Sequence, residues 1–171
     1  MGMSHSTVNI VAVGRLVPEK GYDQLLHAVA KLDFPFNLYV IGGGILENEL
    51  KAIADRLNIS HCVHFIGQIK KPFPFMRIAD VSVISSILEG FPNILHEMMY
   101  LSKALVSTQC ADGIDAIPGI ITCEPNNIPS LAHSISDAVK MSEDVLSIEC
   151  SKRIEYLNSL SVSSYYGRLV E

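Results

Sequence analysis

The chain alternates between short apolar runs and longer stretches in which apolar residues recur every three or four positions. Val8–Val13, Phe36–Ile41, Val63–Ile66, Val81–Ile84, Leu105–Ser107 and Ile120–Thr122 are near-continuously apolar. A strand with one wet face alternates apolar and polar residues, so runs without alternation predict strands covered on both faces, as in a parallel sheet. Between them Tyr22–Lys31, Ile45–Leu57, Phe75–Ile78, Asn93–Leu101 and Ile128–Met141 read as helices. In the second of these, Leu46, Leu50, Ile53, Ala54 and Leu57 fall on one helical face. The repeated β-α order predicts an α/β fold, a Rossmann-like parallel sheet with helices on both faces. A last amphipathic stretch, Val145–Leu160, leads to Tyr165, Tyr166, Leu169 and Val170, apolar enough to require a partner surface.

Composition narrows the picture. At 171 residues, 49% hydrophobic and 18% charged, the chain can bury one substantial core and is short for two domains. Residues 1–7 are small and polar and read as a tag or linker remnant, with the globular unit expected over 8–171. No run approaches the roughly 20 apolar residues that span a bilayer, so a soluble, cytoplasmic protein is expected. The net charge is −5, and the Lys and Arg residues are scattered. That argues against nucleic acid as a partner. The four cysteines, Cys62, Cys110, Cys123 and Cys150, lack the CxxC spacing of metal or redox sites. They read as buried thiols without chemistry. The histidines and acidic residues form no metal-ligand cluster, and His96 reads as a packing or capping residue.

In open α/β sheets ligands bind beyond the carboxyl ends of the strands, which directs attention to the loops there. The loop after the first strand, Gly14-Arg15-Leu16-Val17-Pro18-Glu19-Lys20-Gly21, places two cations beside a helix start. A guanidinium can grip two phosphate oxygens while an ammonium supplies a second point charge, which suits a diphosphate. Equally, Arg15 and Lys20 could solvate a surface loop. The second strand ends in Gly42-Gly43-Gly44, where backbone can approach a ligand or simply turn. The spacing is not that of a P-loop, and no acidic ribose-binding residue of the dinucleotide type follows.

The loop after the fourth strand carries the most information. In Glu89-Gly90-Phe91-Pro92-Asn93-Ile94-Leu95-His96-Glu97, seven residues separate two carboxylates across a turn into a helix. The first is expected at the sheet edge and the second about one turn inside the helix, both aimed into the crevice. Carboxylates accept hydrogen bonds from hydroxyls, so one could hold a sugar and the other a ribose, with amides from Gly90 to Ile94 meeting phosphate. The alternative is a helix-dipole carboxylate, a solvated helix face and a first-turn proline.

These residues resemble the C-terminal domain of the retaining glycosyltransferase family 4, of the GT-B fold, and the resemblance covers nearly the whole chain. Gly14-Arg15-Leu16 with Glu19-Lys20-Gly21 is similar to the family's phosphate-contacting loop, and Glu89 through Glu97 is similar to its EX7E motif. The resemblance implies one lobe of a GT-B enzyme in which Arg15 and Lys20 bind the donor diphosphate, Glu89 the transferred sugar and Glu97 the ribose. Gly14, Gly44, Gly90, Phe91, Asn93 and Ile94 would line the phosphate and sugar, with Phe65 and Gln68 near the base. The donor would be a nucleotide sugar, UDP- or GDP-linked, with no metal and no separate cofactor. The acceptor, a glycan or lipid-linked molecule, would sit on an N-terminal domain absent from this sequence, and the full-length enzyme would associate peripherally with the cytoplasmic face of a membrane. Alone, this part would bind and not transfer. The segment Cys110–Asp115 departs from the family's usual Gly-Pro-Arg/Gly-Glu pattern, as does Tyr100-Leu101-Ser102 from its Cys/Ala-Gly. Two other readings remain: a non-catalytic module binding a nucleotide or partner, and a sugar-nucleotide epimerase of the same fold.

Overall fold

The computed structural model describes residues 7–160. The readings placed on the first six residues and on Tyr165, Tyr166, Leu169 and Val170 lie outside the described residues. Six parallel strands form one sheet: β1 (Val8–Val13), β2 (Phe36–Ile41), β3 (Val63–Gly67), β4 (Val81–Ile84), β5 (Ala104–Thr108) and β6 (Ile121–Cys123). Their order across the sheet is β3-β2-β1-β4-β5-β6. The helices are α1 (Tyr22–Val29), α2 (Glu47–Arg56), α3 (Phe73–Ile78), α4 (Ile94–Leu101), α5 (Ile128–Lys140) and α6 (Glu143–Ser159).

The absence of alternation in the strands has a direct cause in this layering. Ile10 and Ala12 of β1, with Val81 and Val83 of β4, pack into one core cluster with residues of α1, α2 and α5. Val11 and Ile84 point the other way, into a second cluster with Met76, Leu95, Met98 and Met99 of α3 and α4. Both faces exclude water, so both sets of side chains are apolar.

Helix boundaries follow local chemistry. The reading that began the second helix at Ile45 starts two residues early, because Leu46 donates its amide to the Leu16 carbonyl and Glu47 to that of Gly44. Conversely, α3 begins at Phe73 rather than Phe75, with proline in its first turn, where the missing N–H costs nothing. Asn127 and Ser142 cap α5 and α6, accepting from the amides of Ser130 and Val145 at 3.0 and 3.4 Å. The last helix is less buried than its pattern suggests: only Arg153 is buried, while Val145 and Ile148 are exposed.

Strands β1 and β4 are neighbours, yet α1 leaves β1 on one face of the sheet and α4 leaves β4 on the other. The connections from their carboxyl ends therefore turn to opposite sides of the sheet, which makes this the topological switch point, where open α/β sheets hold ligands. No helix among the described residues is long and apolar enough to cross a membrane.

Candidate functional site

Two loops meet at this switch point. After β1 the chain makes a 3₁₀ turn at Pro18–Lys20 and enters α1 through Gly21, whose φ is 61°. After β4 it runs through Ser85 and Glu89 to α4. Hydrogen bonds to main-chain carbonyls clasp the two: Ile87 donates its amide to the Glu19 carbonyl at 2.8 Å, and the Ser85 hydroxyl donates to the Lys20 carbonyl at 2.9 Å. Gly21 packs so tightly on this clasp that a Cβ there would lie 2.2 Å from the Ser85 carbonyl oxygen. The β5 loop completes the support, its Cys110 carbonyl accepting from the Glu89 amide at 2.7 Å. Thr108 adds a hydroxyl bond to the Ser86 carbonyl at 2.5 Å.

The clasp brings Lys20 and Glu89 together across 69 positions of sequence. The ammonium donates to Glu89 Oε2 at 2.6 Å, with side chains 20% and 12% exposed respectively. Glu89 Oε1 is buried with no hydrogen-bond partner among the described residues. A polar cavity of about one water volume, 10 Å³, lies beside the pair, lined by Tyr22, Ser85, Ser86 and Ile94 among others. Burial pushes the Tyr22 phenol well above its ordinary range, and the Glu89 charge adds to the effect. Tyr22 therefore stays neutral. Burial also pushes the Cys110 thiol up, which keeps it protonated beneath the loop.

Beside this pair, a hollow of 320 Å³ opens between the ends of β1, β2 and β3, lined by Val13, Gly14, Arg15, Ile41, Gly42, Gly43, Gln68 and Ile69. Gly42, at φ 144°, lies against Gly14 so closely that a Cβ would fall 1.8 Å from the Gly14 carbonyl oxygen. Its lack of a side chain is what lets the first two loops join into one floor. Gly44 serves that packing rather than the lining, since a Cβ there would meet the Leu16 carbonyl at 2.3 Å. Arg15 stands at the rim, its side chain 76% exposed and 3.8 Å from Glu19. An exposed pair of this kind is worth little and leaves the guanidinium free to turn.

The remaining residues expected at the site divide. Gly90 is open, with nothing within 4 Å of a Cβ built on it. Phe91 is exposed, its ring centroid 5.3 Å from that of His96, and Asn93 occupies the cap position of α4 without a side-chain bond. Glu97 lies in the first turn of α4 as the spacing implied. However, it opens onto a different groove, with Phe73, Arg77, His96, Tyr100 and Leu157, instead of the cavity holding Glu89. Phe65 is not brought to the hollow: it packs against the core beneath Lys51, whose ammonium is 5.6 Å from the ring centroid. Tyr22 and Ser85 were not anticipated. An aromatic at the first position of a helix reads as core, and a serine ending a strand carries no signal.

The profile of the family described as Glycosyl transferases group 1 matches residues 5–155. The chain belongs to that family. Over 104 residues this group 1 glycosyltransferase chain is 34% identical to N-acetylgalactosamine-N,N'-diacetylbacillosaminyl-diphospho-undecaprenol 4-alpha-N-acetylgalactosaminyltransferase of Campylobacter jejuni, covering 61% of this chain and 28% of that protein. It is 31% identical over 121 residues to an uncharacterized glycosyltransferase of Methanocaldococcus jannaschii, covering 69% and 29%. The chain thus spans under a third of the length of these relatives. Among solved structures, Anabaena HepE in complex with UDP superposes with a TM-score of 0.82 at 18% identity, over 96% of this chain and 48% of that one. The likeness extends the fold assignment to one lobe of a GT-B glycosyltransferase.

Proposed function

We propose that this chain is the C-terminal, donor-binding lobe of a retaining glycosyltransferase of family 4. It binds a nucleotide-diphosphate sugar, UDP- or GDP-linked, and together with an acceptor-binding lobe transfers the sugar with retention to a glycan or lipid-linked acceptor. The observation that carries the reading is the Lys20–Glu89 pair beside the glycine-floored hollow, a cation and a hydroxyl acceptor held at the switch point by main-chain contacts.

The roles follow from the chemistry of each group. Lys20 and Arg15 bind the diphosphate and stabilise the negative charge that grows on it as the glycosidic bond breaks, an electrostatic contribution to the transition state. Arg15 turns from Glu19 to grip two oxygens at once. Glu89 accepts hydrogen bonds from hydroxyls of the transferred sugar, and Glu97, although it opens onto the neighbouring groove, is assigned to the ribose by its place in the motif one turn into α4. Gly42 and Gly43 let the nucleotide lie against the backbone, with Gln68 at the base. The diphosphate itself assists deprotonation of the incoming hydroxyl, so the site needs no protein nucleophile. Solved neighbours holding UDP, and UDP-2-fluoro glucose in the case of the Escherichia coli trehalose-6-phosphate protein, support a nucleotide-sugar donor.

Calorimetric titration with UDP, GDP and ADP tests the reading. One of the three is expected to bind saturably, with Lys20→Ala and Glu97→Ala each weakening it by about tenfold or more, since a hydrogen bond to a charged group is worth roughly 1.5–3 kcal/mol. No binding by any of the three, or binding indifferent to Lys20, would contradict it.

A further inference from the structure

The ion pair at the centre of the site joins the two residues that the proposed mechanism sends to opposite ends of the donor. Lys20 is to meet phosphate and Glu89 sugar, yet in the structure each holds the other at 2.6 Å. Glu89 has little else to turn to. Its second oxygen is buried and without a partner among the described residues, and the side chains lining the adjoining cavity offer no second cation. The Ser85 hydroxyl is committed to the Lys20 carbonyl, and the Tyr22 phenol donates to neither Glu89 oxygen.

We infer that Glu89 makes the site discriminate a nucleotide sugar from the sugar-free nucleotide diphosphate, because both must take Lys20 from Glu89 and only the former brings hydroxyls to replace it. The inference rests on the donor-site reading above. Removing one partner of a largely buried ion pair leaves an uncompensated charge in a low-dielectric setting, which is unfavourable. A nucleotide diphosphate draws the ammonium to its own oxygens and offers Glu89 only more negative charge. A nucleotide sugar draws the same ammonium, and its hydroxyls donate to both carboxylate oxygens, including the one now unpartnered. The product left after transfer is thereby held less firmly than the donor, and Lys20 returning to Glu89 assists its release.

The test is the affinity of UDP and GDP for the chain and for its Glu89→Gln, Lys20→Met and doubly substituted forms. Glu89→Met is included as a second replacement of similar volume, so that a folding defect particular to the amide does not decide the result. For whichever diphosphate binds the unsubstituted chain, removing the carboxylate charge is expected to tighten binding about tenfold. That gain should vanish in the Lys20→Met background, where no ammonium is left to release. Unchanged or weaker binding in both Glu89 variants would overturn the inference, because Lys20 would then serve carboxylate and phosphate at once. A gain that persists undiminished in the Lys20→Met background would overturn it as well, showing simple repulsion between Glu89 and the diphosphate. Failure of both diphosphates to bind any form would remove the donor-site reading itself, and this inference with it.

Discussion

Arg153 shows how much one side chain can hold. It is 1% exposed, and among the described residues no carboxylate forms an ion pair with its guanidinium; its bonds go to main-chain oxygens instead. Nε donates to the Met99 carbonyl, Nη1 to that of Gly119, and Nη2 to those of Ser102 and Lys103. These carbonyls lie around the end of α4 and the approaches to β5 and β6, so the cation joins α6 to the sheet and meets the negative end of the α4 dipole. Desolvation lowers its pKa, and the Cys150 and Glu149 side chains work against that. Arg153→Met keeps the bulk and removes the donors, leaving buried carbonyls unpaired. It is expected to cost about 3–4 kcal/mol in urea denaturation, against under 1 kcal/mol for the exposed neighbour Lys152→Met. Nothing in the sequence marks Arg153, because a lone arginine on an amphipathic helix reads as part of its solvated face and its partners are groups every residue carries. Lys20 and Glu89 drew attention because charged residues in loops at the carboxyl ends of strands stand where open α/β sheets bind ligands, although each also had an ordinary surface reading; that the two pair with each other was not readable. Phe65, in the middle of β3, packs beneath Lys51 of α2, and an apolar run without alternation does not tell which way such a residue faces.

At the scale of elements, the site depends on two loops held by main-chain bonds, with Gly21 as the contact between them. Gly21→Ala places a side chain in a left-handed conformation, at roughly 1–2 kcal/mol, and against the Ser85 carbonyl as well. The expected result is a loss of nucleotide affinity of at least about tenfold in calorimetry, because the loop shift carries Lys20 away from the place where it meets the diphosphate. The same variant should remain folded by circular dichroism, since most of the two core clusters is contributed by strands and helices outside the clasp. The strands were readable almost residue for residue, because a doubly covered strand leaves an uninterrupted apolar run. The helix starts were not, since they are set by amides such as that of Leu46 finding a carbonyl on a distant loop. Likewise, the meeting of the β1 and β4 loops follows from sheet order, which no local pattern states.

The whole molecule is a doubly wound sheet whose strand order, β3-β2-β1-β4-β5-β6, places Gly14–Gly21, Gly42–Gly44 and Glu89–Glu97 along one edge. The α/β class and the helical layers could be read from periodicity; the division of the two carboxylates between separate openings could not, because it depends on the direction in which α4 leaves the crevice. The opposite edge has its own small cavity, lined by Lys103, Gly119, Glu149 and Arg153, which serves as an internal control for any claim about binding. The central claim is that a nucleotide diphosphate binds at the carboxyl edge of the sheet, between the β1, β2 and β4 loops. The most direct test is to follow backbone amide chemical shifts while titrating the nucleotide that calorimetry selects. Concerted shifts at Gly14–Gly21, Gly42–Gly44, Gln68 and Gly90–Glu97, with Lys103 and Gly119 unmoved, are the predicted result. Shifts confined to the Lys103–Arg153 edge, or none at the β1 and β4 loops at saturation, would contradict it.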